Sequence, residues 1–348
     1  MTTTEELELN ITIDENNLIT GAIDVVKHIR PTWVTNRLQF KVFTDGITNK
    51  LIGVYDPDHY NEMVLVRVYG NKTDLLIDRA DEKRNIRILN KAGHTHKLYA
   101  TFNNGLAYEF LPGEILTIKT VRQREVYSLI AKRMAQMHKL TLNDYPDINR
   151  EPMIWKKTER FMELMPRYFN DPDKQSRFQS MIKPIAILEE EYKILKNKLI
   201  MLNSPIVFAH NDLLLANVLY NKEQNTVTFI DFEYTAFNYQ AFDIANHFAE
   251  FAGVDNIDYS LYPEETFQRS WLRIYLQCYN GTRNVSEDDV TKLYEQIQQF
   301  TLLTHFFWGC WALIQYNYST IDFDFSRFAA TRFNEFFKLK DQLKFHSK

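Results

Sequence analysis

His210-Asn211-Asp212 is followed by Asn217, an H-x-D-x-x-x-x-N series, and Ile230-Asp231-Phe232 comes further along the chain. Two carboxylates and a carboxamide in such a series suit phosphoryl transfer. One carboxylate orients the attacking hydroxyl and accepts its proton, while an amide oxygen and the second carboxylate hold Mg²⁺ on nucleotide phosphates. Val218 to Tyr220 and Val227 to Ile230 read as strands facing each other across the turn Asn221 to Asn225. A loop that feeds the first strand, with Asp231 ending the second, brings Asp212, Asn217 and Asp231 to one edge. Either aspartate taken alone reads better as an ordinary turn residue. The complete series favours catalysis.

A nucleotide would need further support. With 10 glycines in 348 residues, no two of them two apart, the chain has neither a G-x-G-x-x-G fingerprint nor a P-loop. The turn from Asp45 to Lys50 offers Gly46, Thr48 and Asn49 as a flap over phosphates, or is a plain β-turn. Arg67 lies inside the apolar run EMVLVRVYG, and Glu82 follows on a helical stretch from Asp78 to Leu89. Together they make a phosphate-binding cation and its ion-pair partner; apart, they read as a sheet-edge charge and a solvated helix residue.

The elements that must position these residues fall into two lobes. Strands are expected either side of Asp45-Gly46, at 62–70, and as a hairpin at 97–102 and 105–110, with one helix among them. Leu111-Pro112-Gly113 breaks the pattern, giving an N-terminal lobe of residues 1–111 and a C-terminal lobe of residues 112–348. Helical spacing fills the second lobe at 121–140, 176–202, 241–252, 264–279, 288–317 and 326–345, with the polar hairpin inside it. The fold class is α+β.

Bulk properties narrow the partners. Hydrophobic residues make up 45% and charged residues 25%, enough for a sizeable core, and the net charge of −4 argues against nucleic acid or an anionic membrane. Two cysteines are too few for a disulfide framework and suit a reducing, cytoplasmic setting. The most apolar run, Phe300 to Ile314, contains His305 and is shorter than the roughly 20 residues a bilayer span needs.

Arg67-Val68-Tyr69-Gly70, HNDLLLAN (210–217), FIDFEYTAFNYQAFDIANHFAEFAG (229–253) and THFFWGCWALIQ (304–315) resemble the choline/ethanolamine kinase family. The match runs from about residue 35 onward. The HND-Leu-Leu opening and YSTIDFDF (318–325) are most similar to its ethanolamine-phosphorylating branch. The resemblance implies a two-lobed protein-kinase-like fold and ATP- and Mg²⁺-dependent phosphorylation of ethanolamine to phosphoethanolamine. That is the entry step of the CDP-ethanolamine route to phosphatidylethanolamine. Asp212 would act on the substrate hydroxyl, Asn217 and Asp231 would bind Mg²⁺, and Arg67 would contact ATP phosphates with Glu82 as its partner. Glu109 and Leu111 would meet adenine through their backbone, and Asp243 would brace the catalytic loop. Some relatives form homodimers through the N-terminal lobe, which makes a homodimer an expectation here. Phe-Glu after Asp231, in place of Phe-Gly, argues against a protein kinase.

For the acceptor, Trp308 and Trp311 share a helix face, where aromatic faces hold an alkylammonium at roughly 0.5–2 kcal/mol per contact. Helical aromatic stripes more often belong to a core, and the resemblance sets these two apart. A quaternary ammonium has no N–H donor and prefers aromatic enclosure, whereas a primary ammonium prefers carboxylates. Phe325 and Phe328 stand where choline kinases place tyrosines, and Glu250 and Asp322 are available carboxylates, so ethanolamine is favoured over choline. The alternatives are a choline or dual-specificity kinase, an aminoglycoside phosphotransferase, and a non-catalytic pseudokinase scaffold. Retention of the whole metal set speaks against the last.

Overall fold

Valine-rich runs alternate inward and outward through the first part of the chain and pair into a sheet. The computed structural model describes residues 5–43, 49–70, 76–319 and 321–345. It divides into two compact units, Met1–Ile115 with Leu219–Glu233, and Leu116–Val218 with Tyr234–Lys348. In the first unit β1 (Leu7–Leu9), β2 (Gln39–Phe43), β3 (Asn49–Tyr55), β4 (Val64–Tyr69), β5 (Leu98–Phe102) and β6 (Gly105–Glu109) form one sheet in the order β1-β5-β6-β4-β3-β2. Its neighbours are antiparallel except for β1, which lies parallel to β5.

Helix α1 (Leu18–Ile29) covers one face of this sheet. Ala22, Val25, Val26 and Ile29 follow the i, i+3, i+4, i+7 spacing and join Ile52, Val54, Val64, Val66 and Val68 in one cluster. Each large aliphatic side chain buried there contributes about 1.5–3 kcal/mol. Sequence patterning expects neither β1 nor α1. The helix is rich in β-branched residues and contains Gly21, all weak helix formers, so packing rather than propensity holds it. Helix α2 (Arg79–Lys91) matches expectation and is capped by Asp78, whose carboxylate accepts from the N–H groups of Ala80 and Asp81 at 3.0 and 3.1 Å.

The polar hairpin differs from its expected place. Strands β9 (Val218–Asn221) and β10 (Thr226–Phe229) form a three-stranded sheet with β7 (Glu114–Ile115), in the order β10-β9-β7. Glu114 and Ile115 pair with Tyr220 and Leu219, so residues 219–233 cluster with the first unit, which itself continues to Ile115.

The second unit contains α3 (Ile118–Val121), α4 (Arg124–His138), α5 (Met153–Leu164), α6 (Pro172–Met181), α7 (Ile185–Ile200), α8 (Gln240–Ala249), α9 (Glu265–Asn280), α10 (Glu287–Tyr318) and α11 (Phe325–Gln342). Strands β8 (Ile206–Ala209) and β11 (Ala236–Tyr239) pair antiparallel beside them. The expected helix at 176–202 is two helices, because Pro184 cannot donate to a continuing ladder and instead precedes α7. Helix α10 is buried on every side from Phe300 to Ile314, which explains its apolar run as interior packing. Gly309 permits close approach of α11, since a Cβ there would lie 2.9 Å from the Phe333 ring. Among the described residues no helix is long and apolar enough to cross a membrane.

Burial holds three imidazoles neutral. His96 is pushed down to about 3 by burial and by Arg67. His247 is pushed down to about 4 by burial, against the opposing effect of its bond to the Leu213 carbonyl. His305 is held well below its ordinary value by burial, Arg332 and Lys338. Each binds a proton less readily folded than unfolded, so the unfolded chain takes up more protons as pH falls through 6.5. Stability should therefore decline between about pH 6.5 and pH 4, by up to about 1.4 kcal/mol per pH unit per histidine. Urea unfolding across this range should show the slope, and His247→Gln should remove one histidine's share; an unaltered slope would rule that residue out.

Candidate active site

In the first unit β4 carries Arg67 inward at 6% exposure, within a strand whose valines line the core. Its guanidinium ion-pairs with Glu82 of α2 and donates to Asp231 Oδ1 at 2.9 Å. Arg79, one turn before Glu82, donates to Glu82 Oε2 at 2.9 Å and to Glu233 Oε2 at 3.2 Å, and lies 3.9 Å over the Tyr69 ring. Sequence reasoning names neither Arg79 nor Glu233 as part of this cluster. The i, i+3 spacing of Arg79 and Glu82 was the available signal.

Two guanidiniums and three carboxylates thus interlock, leaving one negative charge over when all three acids are ionised. Burial opposes charge on Arg67, but Asp231, Tyr108 and Glu233 outweigh it and raise its pKa. Glu233 is pushed up by burial and by Asp231, against Arg67 and Arg79. Carboxylate oxygens of Glu82, Asp231 and Glu233 lie within 4.8 Å of one another, and such hard oxygen donors with surplus negative charge fit a magnesium ion. Asp231 has φ of 63°, a conformation that non-glycine residues adopt sparingly and that clusters at functional sites.

The other expected nucleotide contacts are partly engaged within the protein. Asn49 opens β3 and donates its amide to Glu233 Oε2 at 3.3 Å. Gly46 and Thr48 lie outside the described residues. Glu109 ends β6, and its N–H donates to the Lys97 carbonyl at 2.9 Å; Leu111 follows beyond the strand.

In the second unit β8 delivers His210-Asn211-Asp212 as a loop whose backbone is fixed from behind. Asp243, wholly buried on α8, accepts from the His210 N–H at 3.1 Å, the Asn211 N–H at 2.6 Å and His138 Nε2 at 2.8 Å. Burial favours its neutral form, yet His138, His210 and the Asn211 N–H together hold its pKa below the ordinary value. His138 Nδ1 in turn bonds the Tyr275 hydroxyl at 2.6 Å. Asn211 has φ of 68°, and its side chain donates to the Tyr234 carbonyl at 3.0 Å while accepting from Asn238 at 2.7 Å. Asn217 donates to the Asp212 carbonyl at 2.8 Å, which ties the two residues of the series together through the amide nitrogen.

The expected acceptor residues differ in how they are engaged. Trp308 and Trp311 are buried on α10 at 6% and 7% exposure, with centroids 5.7 Å apart and planes at 83°. Trp308 Nε1 donates to Asn246 Oδ1 at 2.7 Å, and Trp311 meets Phe325 and Phe328 at 5.8 and 6.3 Å. Glu250 is buried in the turn after α8 and ion-pairs with Arg332 of α11 at 2.6 Å, so it is not the unengaged carboxylate the sequence suggests. Asp322 is exposed and lines a cavity of about 220 Å³ with Asp255, Phe323 and Phe328. Arg332 escaped sequence reasoning; its signal was a lone cation on the apolar stripe of Phe325, Phe328, Ala329, Phe333 and Phe336.

The chain matches the family model described as choline/ethanolamine kinase over residues 40–337. It is 46% identical to "Ethanolamine kinase 1" of Homo sapiens across 97% of this chain and 75% of that one. It is 40% identical to the ethanolamine kinase of Drosophila melanogaster across 95% of this chain and 79% of the relative. The solved structure of Plasmodium vivax ethanolamine kinase superposes with a TM-score of 0.82 at 30% identity, covering 94% of this chain and 90% of that one.

Removing the Asp243 carboxylate tests the brace directly. Asp243→Ala leaves two backbone donors and His138 facing a void and should cost about 3–5 kcal/mol. Asp243→Asn retains one acceptor oxygen and should cost less. Denaturant unfolding of both variants measures this order, and an alanine variant as stable as the parent would show that the loop is held by other means.

Proposed function

The chain belongs to the choline/ethanolamine kinase family, and from that premise we propose that it transfers the terminal phosphoryl group of ATP to the hydroxyl of ethanolamine. The product, phosphoethanolamine, would enter the CDP-ethanolamine route to phosphatidylethanolamine. The observation that carries this reading is the joint presence of Asp212 on a braced loop and the Arg67–Glu82–Asp231 cluster. A scaffold without chemistry has no use for a buried cluster with surplus negative charge.

Asp212 orients the acceptor hydroxyl and takes its proton as the oxygen becomes a nucleophile. Asp243 serves this step at one remove, since the N–H groups it holds belong to the two residues before Asp212. Arg67 meets the ATP phosphates, with Glu82 restricting its rotamers and Arg79 restricting Glu82. Glu109 has already given its N–H to Lys97, so adenine recognition falls to its carbonyl and to Leu111. Asp231 and Asn217, with Glu233 beside Asp231, are the oxygen donors that would hold Mg²⁺. When bound, the ion neutralises charge on the transferring phosphate. On the acceptor side, Trp308 and Trp311 wall the organic part of the substrate, and Glu250 and Asp322 supply carboxylates for an ammonium.

Coupled measurement of ADP release with ethanolamine and with choline tests the assignment. A higher kcat/KM for ethanolamine is expected, and the reverse order would overturn the choice of substrate. Asp212→Ala should lower kcat by about 10³-fold while ATP binding, followed by calorimetry, stays close to wild type. Arg67→Lys keeps the charge without the planar fork, and should raise KM for ATP about tenfold.

A further inference from the structure

Arg332 and Glu250 form a buried ion pair that satisfies only part of either partner. Arg332 is 2% exposed and Glu250 3% exposed. A guanidinium and a carboxylate can meet through two parallel hydrogen bonds. Here a single bond joins them, Arg332 Nη2 to Glu250 Oε1 at 2.6 Å. Among the described residues Glu250 Oε2 has no hydrogen-bond partner, nor do Arg332 Nε and Nη1. A buried carboxylate oxygen without a donor is costly, and native structures rarely keep one without a use.

The surroundings say what that use is. The Arg332 guanidinium lies 4.9 Å over the Phe328 ring, Phe328 meets Trp311 at 6.3 Å, and Trp311 meets Trp308 at 5.7 Å. The pair therefore adjoins the aromatic wall. Burial works against charge on Arg332 and is outweighed by Glu250, Tyr259 and Asp212, which puts the catalytic carboxylate within its electrostatic range. The Tyr259 hydroxyl and the Trp311 Nε1, a donor, are also buried without hydrogen-bond partners among the described residues.

We propose that Arg332 is a positioning residue: by occupying Oε1 it holds Glu250 with Oε2 presented to the substrate ammonium, and that one oxygen reads one N–H. This rests on the reading of the protein as an amino-alcohol kinase. Arg332 does not touch the reacting atoms. It sets the aim of the carboxylate that does the recognising, and its removal would let Glu250 turn or recruit water.

The wild-type enzyme tests the claim with a methylation series. Ethanolamine, N-methylethanolamine and N,N-dimethylethanolamine all keep at least one N–H as ammonium ions, whereas choline has none. Each step adds the same methyl volume. If one oxygen reads one N–H, the final methyl should reduce kcat/KM about tenfold more than either of the first two. Equal steps, or no loss at choline, would overturn the proposal. Arg332→Lys should raise KM for ethanolamine about tenfold, leave KM for ATP within about twofold, and flatten the final step. A variant with a lowered melting temperature but an unchanged amine KM and an unchanged final step would show a purely structural role. Should that variant not fold, Arg332→Gln, which keeps a donor toward Glu250 without the charge, is read by the same amine KM and final-step measurements. Absence of any ethanolamine-dependent ADP release from wild-type enzyme would sink the functional reading itself, an outcome distinct from failure of the Arg332 assignment.

Discussion

One buried carboxylate sets the geometry on which the second unit's chemistry rests. Asp243 sits where burial alone would neutralise it, and it stays ionised because three donors converge on it. Two of these are backbone N–H groups of the loop that carries Asp212. The third, His138, comes from α4 and is itself fixed by Tyr275 of α9. A strand end, a loop and three helices are thereby registered on one side chain. The left-handed conformation of Asn211 follows from this, since its N–H must face Asp243 while its amide reaches back to the β11 side of the loop. The strain is held by bonds on both sides of the residue, which is how such conformations persist.

The first unit solves a different problem, keeping a cation aimed by dividing its ion pairs among several carboxylates. An isolated Arg67–Glu82 pair would be inward-looking, its charge spent on its partner. Here Arg67 holds both Glu82 and Asp231, and Arg79 holds both Glu82 and Glu233, so neither guanidinium belongs to one carboxylate alone. The cost of burying Arg67 and Glu82 is large, and the network bears it by spreading their charge over partly buried neighbours. The carboxylate surplus shows in Glu233, whose pKa is pushed up by burial and by the neighbouring Asp231. A metal supplied with a nucleotide would relieve that repulsion, and the strained backbone at Asp231 fixes a carboxylate that Arg67 also holds.

How much of this was legible beforehand follows from how each residue signals itself. Asp212, Asn217 and Asp231 stand in a fixed series, and the strands around them alternate, so the hairpin could be read and a chemistry proposed for its edge. Helix α1 could not, because its β-branched composition argues against the helix that packing enforces. The hairpin's allegiance was equally hidden, since it depends on the short strand β7, only Glu114 and Ile115, which carries no periodic signal of its own. Charged residues were legible by type but not by engagement. Glu250 reads as an available acid until Arg332, 82 positions later, is found on one of its oxygens.

That engagement changes the physical account of the acceptor region. Trp308 meets Tyr234, Phe307 and Trp311 in edge contacts, and Trp311 adds Phe325 and Phe328. In each edge contact one ring gives its face to a neighbour's rim, so much of this aromatic surface is committed to packing. A cage for a quaternary ammonium needs faces left open toward one point. A site with few open faces and one donor-starved carboxylate oxygen is better matched to a smaller cation that brings N–H groups of its own. On the proposed reading a primary ammonium is favoured, because Glu250 Oε2 is an acceptor left without a donor among the described residues while the aromatic faces are committed to packing.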